Sequence, residues 1–250
     1  MTQTITIANR RGGAGKTATA HALGAGLLRR GYRVLFVDLD SQCNLTYDLG
    51  IEEAEASSLD VLAEELEASE AILHTEKGDL LPASPSLATS DISITGKRSE
   101  HRLGDALKSV ARKYDYIIID TPPALGVLTV NALTASDKVI IPAQAEIHSL
   151  QGLEQLYRTI ETIRRYTNSR LKLEGVLITR YVARSIISQD MRSNFEDFTK
   201  AIGSKVFSTS IRECTAIKEA QATQTDIFSY APRSNASKDY EAFIEEFLGG

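Results

Sequence analysis

A doubly wound α/β fold, one mostly parallel sheet with helices on both faces and a single domain over residues 1–250, follows from two patterns in this sequence. Short β-branched runs alternate with helical patterns along the chain. A glycine-rich loop, Ile7-Ala-Asn-Arg-Arg-Gly-Gly-Ala-Gly-Lys-Thr17, sits where the first run ends and the first helix begins. That junction is where a parallel sheet places a phosphate-binding loop.

Residues 4–9 alternate and predict the first strand, and a helix is predicted from about Thr17 to Arg30, ended by Gly31. Further strands are predicted over 33–38, 115–120, 138–142, 174–179 and 205–210, all short and apolar as in strands covered on both faces. Between Leu153 and Tyr166, Leu153, Leu156, Ile160 and Ile163 fall on one helical face, with Arg158, Glu161, Arg164 and Arg165 elsewhere. Ser57 to Leu73 is rich in Glu, Ala and Leu and predicts one or two surface helices, while Pro82 to Thr95 reads as loop. Gly78 to Ser86 and Thr167 to Lys172 have linker composition, but strand or helix signals flank both and the chain stays undivided.

At 250 residues and 42% hydrophobic content the chain can bury a substantial core. Cys43 and Cys214 form no C-x-x-C pair, so neither a disulfide framework nor a zinc site is signalled, and free thiols in a reducing cytoplasm are expected. His21, His74, His101 and His148 lack metal-ligand spacing and read as surface or helix residues. The amino terminus has no basic and apolar leader, and no apolar stretch reaches the ~20 residues of a membrane span; secretion and membrane spanning are not expected. The net charge of −5 hides a segregation. Val34 to Glu76 carries twelve acidic residues and no Lys or Arg, whereas Arg158 to Arg192 holds eight basic residues against three acidic. That basic stretch fits a confined anionic partner surface or an ordinary solvated face.

In the glycine-rich loop, Gly12, Gly13 and Gly15 let successive backbone N–H groups point inward around Ala14, and the following helix adds its positive dipole end. Lys16 supplies charge for the outer phosphates and Thr17 a hydroxyl for Mg²⁺. Val37-Asp-Leu-Asp40 brings two carboxylates, Asp38 and Asp40, to the carboxyl edge of the sheet, where the pair can orient the attacking water and hold the metal's water shell; a purely structural role would leave costly buried charges. Tyr116-Ile-Ile-Ile-Asp120 followed by Thr121-Pro-Pro123 has the shape of a Walker B element, with Asp120 reaching Mg²⁺ through a water. Arg11 adds a cation where phosphoryl transfer spreads negative charge.

Arg11-Gly-Gly-Ala-Gly-Lys-Thr17 resembles the deviant Walker A loop, K-G-G-x-G-K-T, of the ParA/MinD superfamily, with Arg11 in place of the first lysine and Ala18 in place of a threonine that follows. Asp38 to Thr46 looks like the family's D-x-D-P-Q-G-N-x-T segment, with Ser41 and Cys43 replacing proline and glycine. Tyr114 to Gly126 and Asn131 to Asp137 are similar to the Soj/ParA partition ATPases, and the resemblance continues more loosely to about Tyr240. It implies the P-loop ATPase fold, ATP and Mg²⁺ as ligands, Arg11, Gly12, Gly13, Ala14, Gly15, Lys16, Thr17 and Ala18 around the phosphates, Pro232 near the adenine, and Asp40 preparing the water. It also implies a homodimer that sandwiches ATP, with Arg11 crossing to the partner's phosphates or else raising local phosphate affinity.

Non-specific DNA binding is implied for Arg184, with Arg180, Arg212 and Lys218 as candidates to extend the patch; a second family arginine falls on Ala216. The function implied is a partition switch: the ATP dimer binds DNA in the cytoplasm on the nucleoid, and a ParB-like centromere-binding protein stimulates slow hydrolysis that releases it. Alternatives are a protein-cargo positioning relative and a MinD-like membrane-cycling ATPase. The latter needs a basic amphipathic tail, and Asp239 to Leu248 is acidic, so no stable membrane association is expected. An iron–sulfur carrier needs thiolate ligands that Cys43 and Cys214 do not offer.

Overall fold

The computed structural model describes residues 2–249. Its strands are β1 (Gln3–Ile7), β2 (Val34–Asp38), β3 (Leu73–Thr75), β4 (Gly78–Leu81), β5 (Tyr116–Asp120), β6 (Lys138–Gln144), β7 (Lys172–Tyr181) and β8 (Val206–Arg212). They form one sheet in the order β3-β4-β2-β5-β1-β6-β7-β8, parallel throughout except for the β3–β4 hairpin at one edge. Every predicted strand is present. The hairpin falls where the sequence reads as the end of a helix and a linker, because strands of three and four residues carry no period to detect. Its turn closes through Thr75 Oγ1 donating to the Gly78 carbonyl at 2.7 Å.

The helices are α1 (Lys16–Arg29), α2 (Asn44–Asp48), α3 (Ser58–Leu62), α4 (Ala68–Ala71), α5 (Ser90–Ser93), α6 (Arg102–Val110), α7 (Val127–Ala135), α8 (Ser149–Tyr166), α9 (Ile186–Ala201), α10 (Thr215–Ala222), α11 (Ile227–Tyr230) and α12 (Asn235–Gly249). Gly31, in the left-handed region at φ 85°, ends α1 as expected: its N–H reaches the Leu28 carbonyl and the Tyr32 N–H reaches that of Leu27. Residues 85–93, expected as loop, form a 3₁₀ turn and the short α5.

Alternation along each strand divides the core. Ile5, Ile7, Phe36, Ile118, Ile140 and Phe207 point to the face covered by α1, α11 and α12. On the opposite face, Leu35, Val37, Ile117 and Ile119 meet α3, α4, α6 and α7, while Val139, Ile141, Val176 and Ile178 meet α8 and α9. α1 lies very close to β2: a Cβ on Gly24 would run into the Phe36 ring. The chain thus winds outward from β1 in both directions, with α1 after β1 and α7 after β5 on opposite faces. Ile7 and Asp38 both pair in register with Asp120, so the carboxyl ends of β1, β2 and β5 converge at the crevice that such winding opens.

The acidic tail is helical and amphipathic, as the sequence suggests. Its apolar side is taken: Tyr240, Phe243, Ile244 and Phe247 are buried on α1 and the sheet. Among the described residues no helix is long and apolar enough to cross a membrane.

Candidate nucleotide-binding site

The loop between β1 and α1 is held by side chains from three strand ends. Asn9 donates through Nδ2 to the Pro142 carbonyl at 2.6 Å and accepts the Arg11 N–H at 2.9 Å. Gln144, at the end of β6, donates to the Gly13 carbonyl at 2.6 Å, and Thr179, near the end of β7, donates to the Ala14 carbonyl at 2.8 Å. With those carbonyls turned outward, Gly13 and Gly15 adopt left-handed conformations (φ 75° and 90°) that a side chain would strain. Gly15 is the N-cap of α1, no side chain caps the helix, and its first N–H groups remain available to an anion.

Three carboxylates gather beside the loop. Asp120 is fully buried and accepts the Thr17 hydroxyl at 2.6 Å. Burial, with Asp38 adding repulsion, pushes its carboxyl well above the usual carboxylate range. Asp38 is also fully buried, its pKa raised to about 6 mainly by burial, although the Asp40 N–H (3.0 Å) and the N–H and hydroxyl of Thr46 (2.9 and 2.8 Å) oppose the rise. Asp40, 7% exposed, lines the cleft and accepts the Gln42 N–H at 3.1 Å. Lys16 is buried as well; burial lowers its pKa, and Asp120 and Asp40 oppose that shift. Buried acids beside one lysine suit a site completed by a cation, and the Thr17 hydroxyl bonded to the Asp120 carboxylate offers hard oxygen donors of the kind Mg²⁺ takes.

From this end a cleft of about 750 Å³ runs outward between α1, α2 and α10. Gly12, Gly13, Gly15, Lys16, Thr17 and Ala18 line it together with Tyr47, Ile211, Arg212, Ile217 and Tyr240. This size accommodates a nucleotide with its triphosphate over the N-terminus of α1 and an apolar and aromatic bed for the base.

The expected residues separate into three groups. The phosphate loop, Lys16, Thr17, Asp40 and Asp120 come together. Asp38 and Asp120, both expected at the metal, are fully buried and do not themselves line the cleft: Asp120 accepts the Thr17 hydroxyl, and the Asp38 oxygens accept from Asp40 and Thr46, shaping the loop that carries Asp40. Arg11 pairs with Glu146, and Pro232 is exposed between α11 and α12; neither is among the residues that line the cleft.

The four residues expected at DNA differ in how their charge is met. Arg180 pairs with Glu213 at 2.7 Å, and Arg212 is gripped by Asp239 through both its Nε and its NH2, with a 2.6 Å bond from NH2. Both line the cleft, as Lys218 does, and each is paired with a carboxylate. Arg184 and Lys218 are exposed and have no carboxylate partner among the described residues.

Sequence reasoning missed Asn9, Gln144 and Thr179, which hold the loop, and Glu146, which meets Arg11; their only sequence signal is a place at a strand end. It also missed the burial of His21, which sits in α1 edge-on to Phe36 with its pKa lowered to about 4 chiefly by burial.

The sequence model of a family described as an AAA domain matches residues 2–173. The chain is 41% identical over 251 residues to the sporulation initiation inhibitor protein Soj of Bacillus subtilis, covering 98% of each chain. It is 37% identical over 252 residues to the chromosome partitioning protein ParA of Caulobacter vibrioides, covering 98% of this chain and 93% of that one. A structure of cobyrinic acid a,c-diamide synthase from Mycobacterium smegmatis with bound ATP analog and magnesium superposes with a TM-score of 0.87 at 34% identity, over 99% of this chain and 95% of that one. With a family model matched over residues 2–173 and 37–41% identity to Soj and ParA over nearly the whole chain, the chain belongs to the ParA/Soj family of P-loop ATPases.

Proposed function

We propose that this protein is an ATP-driven dimerising switch for DNA partition, bound to DNA without sequence preference as the ATP form and released by hydrolysis. The observation that carries the reading is that Lys16, Thr17 and Asp40 line a nucleotide-sized cleft at the N-terminus of α1, with the buried Asp120 bonded to the Thr17 hydroxyl. The free N–H groups at the N-terminus of α1 and Lys16 would bind the triphosphate, and Thr17 and Asp120 would hold Mg²⁺, which would supply charge neutralisation for phosphoryl transfer. Asp40 orients the attacking water, and Asp38 keeps Asp40 in place through the Asp40 N–H. Arg11 faces a second copy, where its guanidinium meets phosphate oxygens in a planar fork.

Arg184 and Lys218 supply DNA contacts, and a ParB-like protein stimulates turnover in the cytoplasm on the nucleoid. The similarity to Soj and ParA supports this reading over a membrane-cycling one, and so does the burial of the apolar side of α12 against the core.

Replacement Asp40→Ala tests the proposal. A dimer trapped with ATP that still retains DNA, seen by sedimentation and by DNA retention, is the expected outcome. Loss of nucleotide binding instead makes Asp40 structural and overturns its role. A wild-type protein that stays monomeric with saturating ATP and Mg²⁺ sinks the switch itself.

A further inference from the structure

Arg11 and Glu146 form an ion pair at 2.5 Å, with side chains 41% and 49% exposed, and neither lines the nucleotide cleft. The two loops that carry them are tied together. Gln144, two residues before Glu146, donates to the Gly13 carbonyl, and Asn9 accepts the Arg11 N–H while donating to the Pro142 carbonyl. The Arg11 backbone is therefore fixed, and Glu146 decides only where the guanidinium goes. Ile147, next to Glu146, is 70% exposed, and Ile186 and Ile187, after neighbouring β7, are 74% and 53% exposed. Large aliphatic side chains on this edge fit a surface that loses water when another molecule covers it, which strengthens an ion pair held there.

We propose that Glu146 is a positioning residue for Arg11: it draws the guanidinium out of the protein's own cleft, committing it to the nucleotide of a second copy. This rests on the ATP-sandwich reading above. Without the carboxylate, the guanidinium on its flexible stem is free to turn back to its own phosphates, which sit against the neighbouring Gly12 and Gly13. Arg11 then tightens nucleotide binding in the monomer and contributes less to the dimer.

Glu146→Gln, Glu146→Asp, Arg11→Ala and the double variant Arg11→Ala with Glu146→Gln test this. ATP-dependent dimerisation is read by sedimentation, and ATP affinity is read at protein concentrations below dimerisation. Glu146→Gln is expected to weaken dimerisation about three- to fivefold and to tighten monomer ATP binding by a similar factor, the scale of one exposed ion pair. Glu146→Asp restores both, and both changes vanish in the Arg11→Ala background. Equal effects of Glu146→Gln with and without Arg11, or no effect on either readout, overturn the proposal. Failure of the underlying reading looks different: wild type does not dimerise with ATP, or Arg11→Ala dimerises as well as wild type, and the monomer affinities then decide the role of Glu146 alone.

Discussion

Thr46 donates twice to one oxygen of Asp38, from its N–H at 2.9 Å and from its hydroxyl at 2.8 Å, and the same hydroxyl accepts the Ala83 N–H at 2.9 Å. One threonine in α2 thereby joins the end of β2, the loop carrying Asp40 and the chain leaving β4. Thr46→Val keeps the shape but strands the Ala83 N–H and removes a bond from a buried carboxylate. A loss of about 2–3 kcal/mol is expected in urea denaturation. Hydrolysis falls while ATP binding persists, because the phosphate loop shares none of these bonds.

Gly24 faces the ring of Phe36 with no room for a methyl group. Helix propensity alone favours alanine there by roughly 1 kcal/mol. The clash is with a buried ring in a packed core, and overpacking of that kind costs about 1–3 kcal/mol. Gly24→Ala is therefore expected to lower stability, as thermal unfolding measures.

His21 binds its proton less readily in the folded chain, with its pKa lowered to about 4 by burial. A depressed pKa on a base means stability that is complete above the unfolded value of ~6.5 and lost as pH falls toward 4, at most about 3 kcal/mol. Asp48, 3.7 Å away, has its pKa raised to about 6 by burial, and its effect has the opposite sign. Wild-type stability alone masks both, so the measurement is a difference. Relative to His21→Asn, wild type should lose stability between pH 6.5 and pH 4 in urea titrations at each pH.

Arg184 and Arg212 should behave differently on DNA. Arg184 is unpaired among the described residues, and Arg184→Glu is expected to weaken DNA retention and to reduce the slope of log affinity against log salt by roughly one, with ATP-dependent dimerisation retained. Arg212 is held by Asp239 inside the cleft. Arg212→Ala is expected to leave the salt slope unchanged, to weaken nucleotide binding, and to cost about 1–2 kcal/mol in thermal unfolding because Asp239 loses its partner.

The sequence by itself determined the doubly wound sheet, the phosphate loop and the acids at positions 40 and 120, since these depend on local features: apolar runs of strand length, glycines where φ is positive, and charged residues at strand ends. What only the tertiary structure decided was which charges answer one another. Arg11 with Glu146, Arg180 with Glu213, Arg212 with Asp239, and Thr46 with Asp38 join residues brought together by packing, and no period or motif signals such pairs. The short β3–β4 hairpin and the buried environment of His21 belong with them. Burial and pairing are properties of the assembled core, where one side chain's surroundings are set by elements far along the chain.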